Sequence, residues 1–217
     1  MTGSSRSDHG LADRLARCLP PLNTPIGDLP VGGYRPEDVQ RPRPAAVLVA
    51  VIEPEPARVL LTVRSERLQR HAGQVAFPGG AREAGDHGVV ATALREAHEE
   101  AGVPPESVRP VGFLGRYDTI TGYRMTAVVG VLRADAQWRA DGREVERVFT
   151  VPLERIADDR SYRRDRVRYG GRTFEILTLA HPEFRIWGAT AALLHDFGAR
   201  LRASGFDAGP CAAPAGD

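Results

Sequence analysis

The chain has 217 residues, 42% of them hydrophobic, with a formal net charge of +1. That length suits one domain with extensions, able to bury about 70% of its unfolded surface, and the near-zero charge excludes the strong field expected of a nucleic-acid or membrane-surface binder. No stretch approaches 18 consecutive apolar residues and residues 1–10 are polar, so neither a spanning helix nor a signal peptide is expected.

Leu11, Leu15, Cys18 and Leu19 suggest a short amphipathic helix, ended by Pro20 and Pro21. A Pro- and Gly-rich lead-in follows to Pro44, and the sequence leaves open whether it is flexible or wrapped on the domain. Residues 45–53, apolar and β-branched, read as a buried strand, 53–56 as a turn and 58–64 as the second strand of a hairpin. The loop 65–73 is basic, with Arg64 at its start, then Arg67, Arg70 and His71. It is read as a phosphate-facing rim in which Arg64 makes the contact and Arg67 is surface. A short strand at 74–77 ends in Pro78-Gly79-Gly80, whose glycines let backbone approach a ligand closely. Beyond the helix described next, 108–117 and 124–132 read as strands joined by a turn at 118–123, with Arg116 and Tyr123 as candidates to line a cleft. Residues 135–143 are polar and expected to be mobile, and a strand starts at 144–149. Strands at 163–169 and 172–179 flank the hairpin signal Gly170-Gly171. A second amphipathic helix at 187–202 turns Ala191, Leu194 and Leu201 toward the sheet, and 204–217 has the composition of a disordered tail.

The stretch 79–103 organises the rest. Val90, Leu94, Ala97 and Ala101 form an apolar stripe at helical spacing, Gly102 stops the helix, and Pro104 and Pro105 prevent its resumption. Glu96, Glu99 and Glu100 fall at i, i+3 and i+4, so their carboxylates gather on another face. Each like-charged i,i+4 pair costs roughly 0.2–0.5 kcal/mol on an exposed helix. Arg95 relieves Glu99, and a hard divalent cation with oxygen ligands would relieve the rest. Asp86 either caps this helix or acts electrostatically near bound metal.

Arg95-Glu96-Ala97-His98-Glu99-Glu100-Ala101-Gly102 resembles the second half of the Nudix box, the signature of Nudix hydrolases, with Asp86 in place of the loop glutamate and one extra residue before Arg95. Leu60-Leu61-Thr62-Val63-Arg64-Ser65, Gly73 and Phe77-Pro78-Gly79-Gly80 look like the extra motif of the coenzyme A pyrophosphatase branch, as does the longer spacing after Asp86. Gln69 stands where that motif has a basic residue, with Arg70 next. Residues 118–123 and 184–191 resemble the same branch, so the likeness runs from about Pro44 to about Leu201.

The resemblance implies an α+β fold, a Nudix-type α/β/α sandwich around a mixed sheet, spanning 44–203 between a 1–43 lead-in and the tail. It implies Mg2+ or Mn2+ held by Glu96, Glu99, Glu100 and a carbonyl at Gly79 or Gly80. Glu96, Glu99, Arg95 and a later loop acid, for which Glu144 is the candidate, are the catalytic set. Arg64, Arg70, Gly73, Phe77 and Gly80 form the substrate side. The implied reaction is hydrolysis of the diphosphate of coenzyme A or its derivatives to 3′,5′-ADP and 4′-phosphopantetheine or its acyl form. Another nucleotide, such as ADP-ribose or an oxidised nucleoside triphosphate, is the alternative, and a ligand-sensing module without turnover is the third reading. The partner is a small nucleotide rather than nucleic acid or membrane, and homodimerisation is left open. No Ser or Cys nucleophile is paired with a His, which disfavours a covalent route, and no His shows ligand spacing. All 29 basic residues are Arg, which coding composition explains more simply than chemistry, although Arg suits bidentate phosphate contacts. Cys18 and Cys211, near opposite ends, fit a reducing, cytoplasmic chain.

Overall fold

The computed structural model describes residues 10–34, 41–53, 56–169 and 171–206. The expectations made for residues 1–9, for 35–40 of the lead-in, for Pro54 and Glu55, for Gly170 and for 207–217, Cys211 included, lie outside the described residues. Helix α1 (Leu11–Ala16) buries Leu11 and Leu15 as its spacing predicts. Residues 20–33 of the lead-in are wrapped on the domain: Phe113 N–H donates to the Pro20 carbonyl, and β1 (Val31–Gly33) pairs in parallel with β6 (Val108–Asp118). Arg116 fastens it, donating to the carbonyls of Gly27 at 2.6 Å and Leu29 at 2.8 Å. The expected cleft residue is therefore a strap, because three of its donor contacts are taken by backbone oxygens.

Strand β2 (Arg43–Ile52) shows why the fold is layered. Its side chains alternate, Val47, Val49 and Val51 entering one apolar cluster and Ala46, Leu48, Ala50 and Ile52 another. Both sets are buried, which is why the sequence reads as a continuous apolar run. The same division continues in β3 (Arg58–Arg64), where Val59 and Leu61 oppose Leu60. It recurs in β7 (Tyr123–Leu132), where Ala127, Val129 and Val131 oppose Val128 and Leu132. Among the described residues the main sheet has eight strands, ordered β1-β6-β7-β2-β3-β4, with β4 at Val75–Ala76. Strand β5 (Gly79–Ala81) also pairs with β2, and β8 (Val145–Pro152) with β3. Parallel β1–β6 and β2–β7 pairings among antiparallel ones make the sheet mixed.

Helix α2 (Val89–Ala101) covers one face. The other carries α1, α3 (Leu153–Ala157) and α4 (Gly188–Ala203), with Ala191, Leu194 and Leu201 of α4 buried as expected. A second sheet of β9 (Tyr162–Tyr169), β10 (Arg172–Leu179) and β11 (Ile186–Trp187) holds the expected hairpin, Arg172 facing Tyr169. The result is an α/β/α sandwich.

Two local expectations are corrected. The inward face of α2 is set by Ala93, Ala97 and Ala101, while Val90 and Leu94 are only half-buried. Alanines four apart let the helix backbone approach Ala46 and Ala50, which turns the buried face toward Thr92 and Glu100. The segment 135–143, expected to be mobile, is hydrogen-bonded to the end of α2: Arg139 N–H donates to the Ala101 carbonyl and Asp141 N–H to that of Glu100. These bonds occupy carbonyls that a helix terminus leaves without intrahelical partners.

Replacing Arg116 by Ala should loosen the lead-in, since hydrogen bonds from a charged group contribute about 1.5–3 kcal/mol each when buried and less when partly exposed, as here. Limited proteolysis should cut the Arg116→Ala protein within 20–34 faster than the parent; equal cutting rates would show that the strap is dispensable.

Candidate active site

The site forms where α2 meets β5. Residues 79–81 are a strand antiparallel to β2, with Gly79 opposite Val47 and Gly80 opposite Ala46. A Cβ on Gly79 would lie 2.7 Å from Val47 Cα, so only glycine permits this approach. A Cβ on Gly80 would lie 2.6 Å from the Glu96 carboxyl carbon, so that glycine makes room for the acid itself. The Gly79 N–H donates to Glu100 Oε2 at 3.0 Å. Gly79 thus reaches the acidic cluster through its amide hydrogen.

The three glutamates fan from core to solvent: the side chain of Glu100 is 6% exposed, that of Glu96 15% and that of Glu99 56%. Two arginines lie among them. Arg95 donates from Nε to Asp86 Oδ1 at 3.0 Å and from Nη2 to Asp86 Oδ2 at 3.1 Å. The same guanidinium meets Glu96 and Glu99, both at 3.0 Å, and donates to the Ala81 carbonyl. Asp86 also accepts from the Glu83 N–H and the Thr92 hydroxyl, so it does not cap the helix. Gly88 holds the N-cap position without a side-chain bond, and Asp86 instead ties the loop to Arg95. The Arg95 guanidinium beside it holds the Asp86 carboxyl well below the usual range.

Arg64 ends β3 on the α2 side of the sheet, at a register shift in the β3–β8 ladder that re-aims its side chain. It donates to Glu100 Oε1 at 3.3 Å and to Glu144 Oε2 at 3.5 Å. Glu144 is placed by two neighbours: its carbonyl accepts from Ser65 N–H, and the Asp141 carboxylate accepts from the N–H groups of Arg143, Glu144 and Val145. Asp141 and Thr92 were not singled out from the sequence; Asp141-Gly142, a turn dipeptide beside the candidate acid, was the available signal for the first.

The remaining candidates divide. Phe77, expected on the substrate side, is buried in the apolar cluster on the sheet face away from α2. Gly73 has φ +65°, with the Glu66 carboxylate where a side chain would project, so its role is in the loop backbone. Arg70 is exposed on that loop, and His98 is exposed on the helix. A cleft of about 720 Å³ opens beside the end of α2, with Glu99, Trp138, Arg139 and Asp141 among its walls.

Six carboxylates, those of Glu83, Asp86, Glu96, Glu99, Glu100 and Glu144, face two guanidinium groups here. Among the described residues no three acidic, imidazole or thiol groups converge as a ready-made cation cage, because the arginines interleave between the acids. The donor set nevertheless fits a hard divalent cation: oxygen ligands, an excess of negative charge and half-buried acids that repel one another. Burial raises Glu96, with the charges of Glu99 and Glu144 adding to it against Arg95. Glu100 is pushed up to about 7, chiefly by burial, with Glu96 and Glu144 adding against the Gly79 N–H and Arg64.

An acid whose folded pKa lies above its unfolded value binds its proton more tightly when folded, so stability falls as pH rises between the two values. In the presence of EDTA the melting temperature should therefore decline from about pH 5 to pH 7.5, as the folded state loses stability by at most about 3 kcal/mol through Glu100. Glu100→Gln should flatten that decline; a slope unchanged in the variant would remove Glu100 as its source.

Comparison with known proteins agrees with this geometry. Residues 42–169, more than half of the chain, match the NUDIX domain. A protein of Enterobacter sp. named uncharacterized Nudix hydrolase NudL is 36% identical over 164 residues, covering 76% of this chain and 85% of its own. One of the same name from Salmonella paratyphi B is 38% identical over 159 residues, covering 73% and 83%. Among solved structures, a MutT/nudix family protein from Enterococcus faecalis is 16% identical, covering 76% of this chain and 63% of that one, with a TM-score of 0.48. The extent of the domain match and the identity to full-length relatives place this chain in the Nudix hydrolase family.

Proposed function

We propose that the protein hydrolyses the diphosphate of coenzyme A or a derivative, giving 3′,5′-ADP and 4′-phosphopantetheine or its acyl form. Nudix hydrolases act on phosphoanhydride bonds and generally need divalent metal ions such as Mg2+ or Mn2+. The observation that carries the catalytic half of the reading is the placement of Glu96, Glu100 and Glu144, from two separate elements, around the guanidinium groups of Arg64 and Arg95, so close that the Glu144 charge adds to the raised proton affinity of Glu96 and Glu100. The substrate half is supported by the sequence motif Leu60–Gly80 and the longer loop before Arg95.

Glu96, Glu99 and Glu100 would hold the metal, which supplies Lewis acidity and a bound water of lowered pKa. Glu100 is aimed by the Gly79 N–H, and Glu96 is seated against the Gly80 backbone. Arg95 keeps Glu96 and Glu99 at the helix surface while Asp86 anchors it in turn. Glu144, on the cluster's open side, or Glu96 accepts the proton of the attacking water. Arg64 neutralises charge on the departing phosphate. Little covalent work falls to side chains in such a transfer, so alignment and charge dominate.

Incubation with Mg2+ or Mn2+ and a panel of coenzyme A, ADP-ribose and nucleoside triphosphates should show the highest kcat/KM for coenzyme A. A preference for ADP-ribose or a triphosphate would replace the substrate assignment. Binding without turnover of any of them would mean a sensing module. Glu100→Gln should lower kcat by orders of magnitude with an unchanged circular dichroism spectrum, and near-normal turnover would take Glu100 out of the metal site.

A further inference from the structure

We propose that Arg64 is an exchangeable counter-ion. In this structure it bridges Glu100 and Glu144, and a divalent cation taken up at Glu100 beside them releases its guanidinium onto a substrate phosphate. This rests on reading the site as a metal-dependent diphosphate hydrolase.

Two observations set Arg64 apart from Arg95, the other guanidinium in the cluster. Its contacts are long: 3.3 Å to Glu100 and 3.5 Å to Glu144, against about 2.7–2.9 Å for well-formed charge-assisted bonds. Its Nε is buried and has no hydrogen-bond partner among the described residues. Buried donors are satisfied in the great majority of cases, so an orphan marks an arrangement that a better partner would displace. Arg95, by contrast, uses Nε and Nη2 together on Asp86 at 3.0 and 3.1 Å and is built into the scaffold.

The two acids that Arg64 joins belong to different elements, α2 and the loop before β8. Glu100 is buried and Glu144 exposed, and the two carboxylates repel one another, so a positive charge between them is favourable, whether a guanidinium or a divalent ion supplies it. Both cannot hold that place at full strength, so cation uptake weakens the Arg64 contacts. Once released, a planar guanidinium with Nε and Nη donors on one edge matches two oxygens of a phosphate, which satisfies the orphan donor. Metal loading thus prepares the phosphate contact, and Arg64 acts with opposite sign on the two ligands: it competes with the cation and holds the substrate.

The test measures both affinities on the full chain after EDTA treatment and dialysis. Mn2+ alone is titrated by electron paramagnetic resonance, without nucleotide, into the parent, Arg64→Met and Arg64→Lys. KM is then measured with coenzyme A at saturating Mn2+. Arg64→Met should bind Mn2+ several-fold more tightly than the parent while its KM rises several-fold. Arg64→Lys, which keeps the charge without the fork, should hold near-parental Mn2+ affinity with a raised KM, and it carries the test if the Met variant fails to fold. Mn2+ binding in Arg64→Met equal to or weaker than in the parent, or an unchanged KM in the variants, would overturn the exchange. A parent protein that turns over coenzyme A while failing this pattern leaves the functional reading standing. A parent that neither binds Mn2+ nor cleaves any diphosphate removes that reading and this inference with it.

Discussion

A carboxylate buried between a helix and a strand constrains the whole molecule. Glu100 sits inside the α2–sheet interface and is met by one backbone N–H, that of Gly79, and one long guanidinium contact. Placing an acid there is unfavourable unless its oxygens are satisfied, and two partners of this kind compensate it only in part. The surrounding sequence answers that constraint. Gly79 allows the strand close to β2, and Ala93, Ala97 and Ala101 allow the helix close to the sheet. The remaining imbalance is visible as the raised proton affinity of Glu100.

The two arginines of the cluster respond to the same surplus of negative charge in different ways. Arg95 is held at both edges, so it fixes the loop 83–86 and the exposed glutamates relative to one another. Arg64 arrives from the sheet and meets its acids at longer range. Arg95 thus forms a frame that keeps the acids aimed, while Arg64 supplies a longer-range positive charge to them. The backbone bonds from 139 and 141 to the end of α2 complete the frame by positioning Glu144 opposite the helix.

Much of this was legible in the chain. The i, i+3, i+4 spacing of Glu96, Glu99 and Glu100, the stop at Gly102 and the paired strands at 163–169 and 172–179 are local properties, and each appears where expected. The Gly102 stop is a left-handed residue at φ 62° whose N–H and that of Val103 return to carbonyls of the last turn. Phe77, which the motif places on the substrate side, packs into the apolar cluster on the other face of the sheet, a placement set by contacts far apart in the chain. Asp86 matched a cap by position, but Arg95, nine residues on, is a stronger partner than a backbone N–H.

Sequence by itself determined the periodicities: which residues share a helix face, where strands alternate, and where glycine is required. It determined the acid cluster and, through its motifs, the family. Only the tertiary structure decided how far α2 is rotated on the sheet, so that Glu100 rather than Leu94 is buried, and that Arg64 meets Glu100 and Glu144 across 36 and 80 residues of chain. Periodicity follows from backbone geometry within a few residues. The choice among faces and partners depends on which surfaces meet, and those surfaces come from segments far apart in the chain.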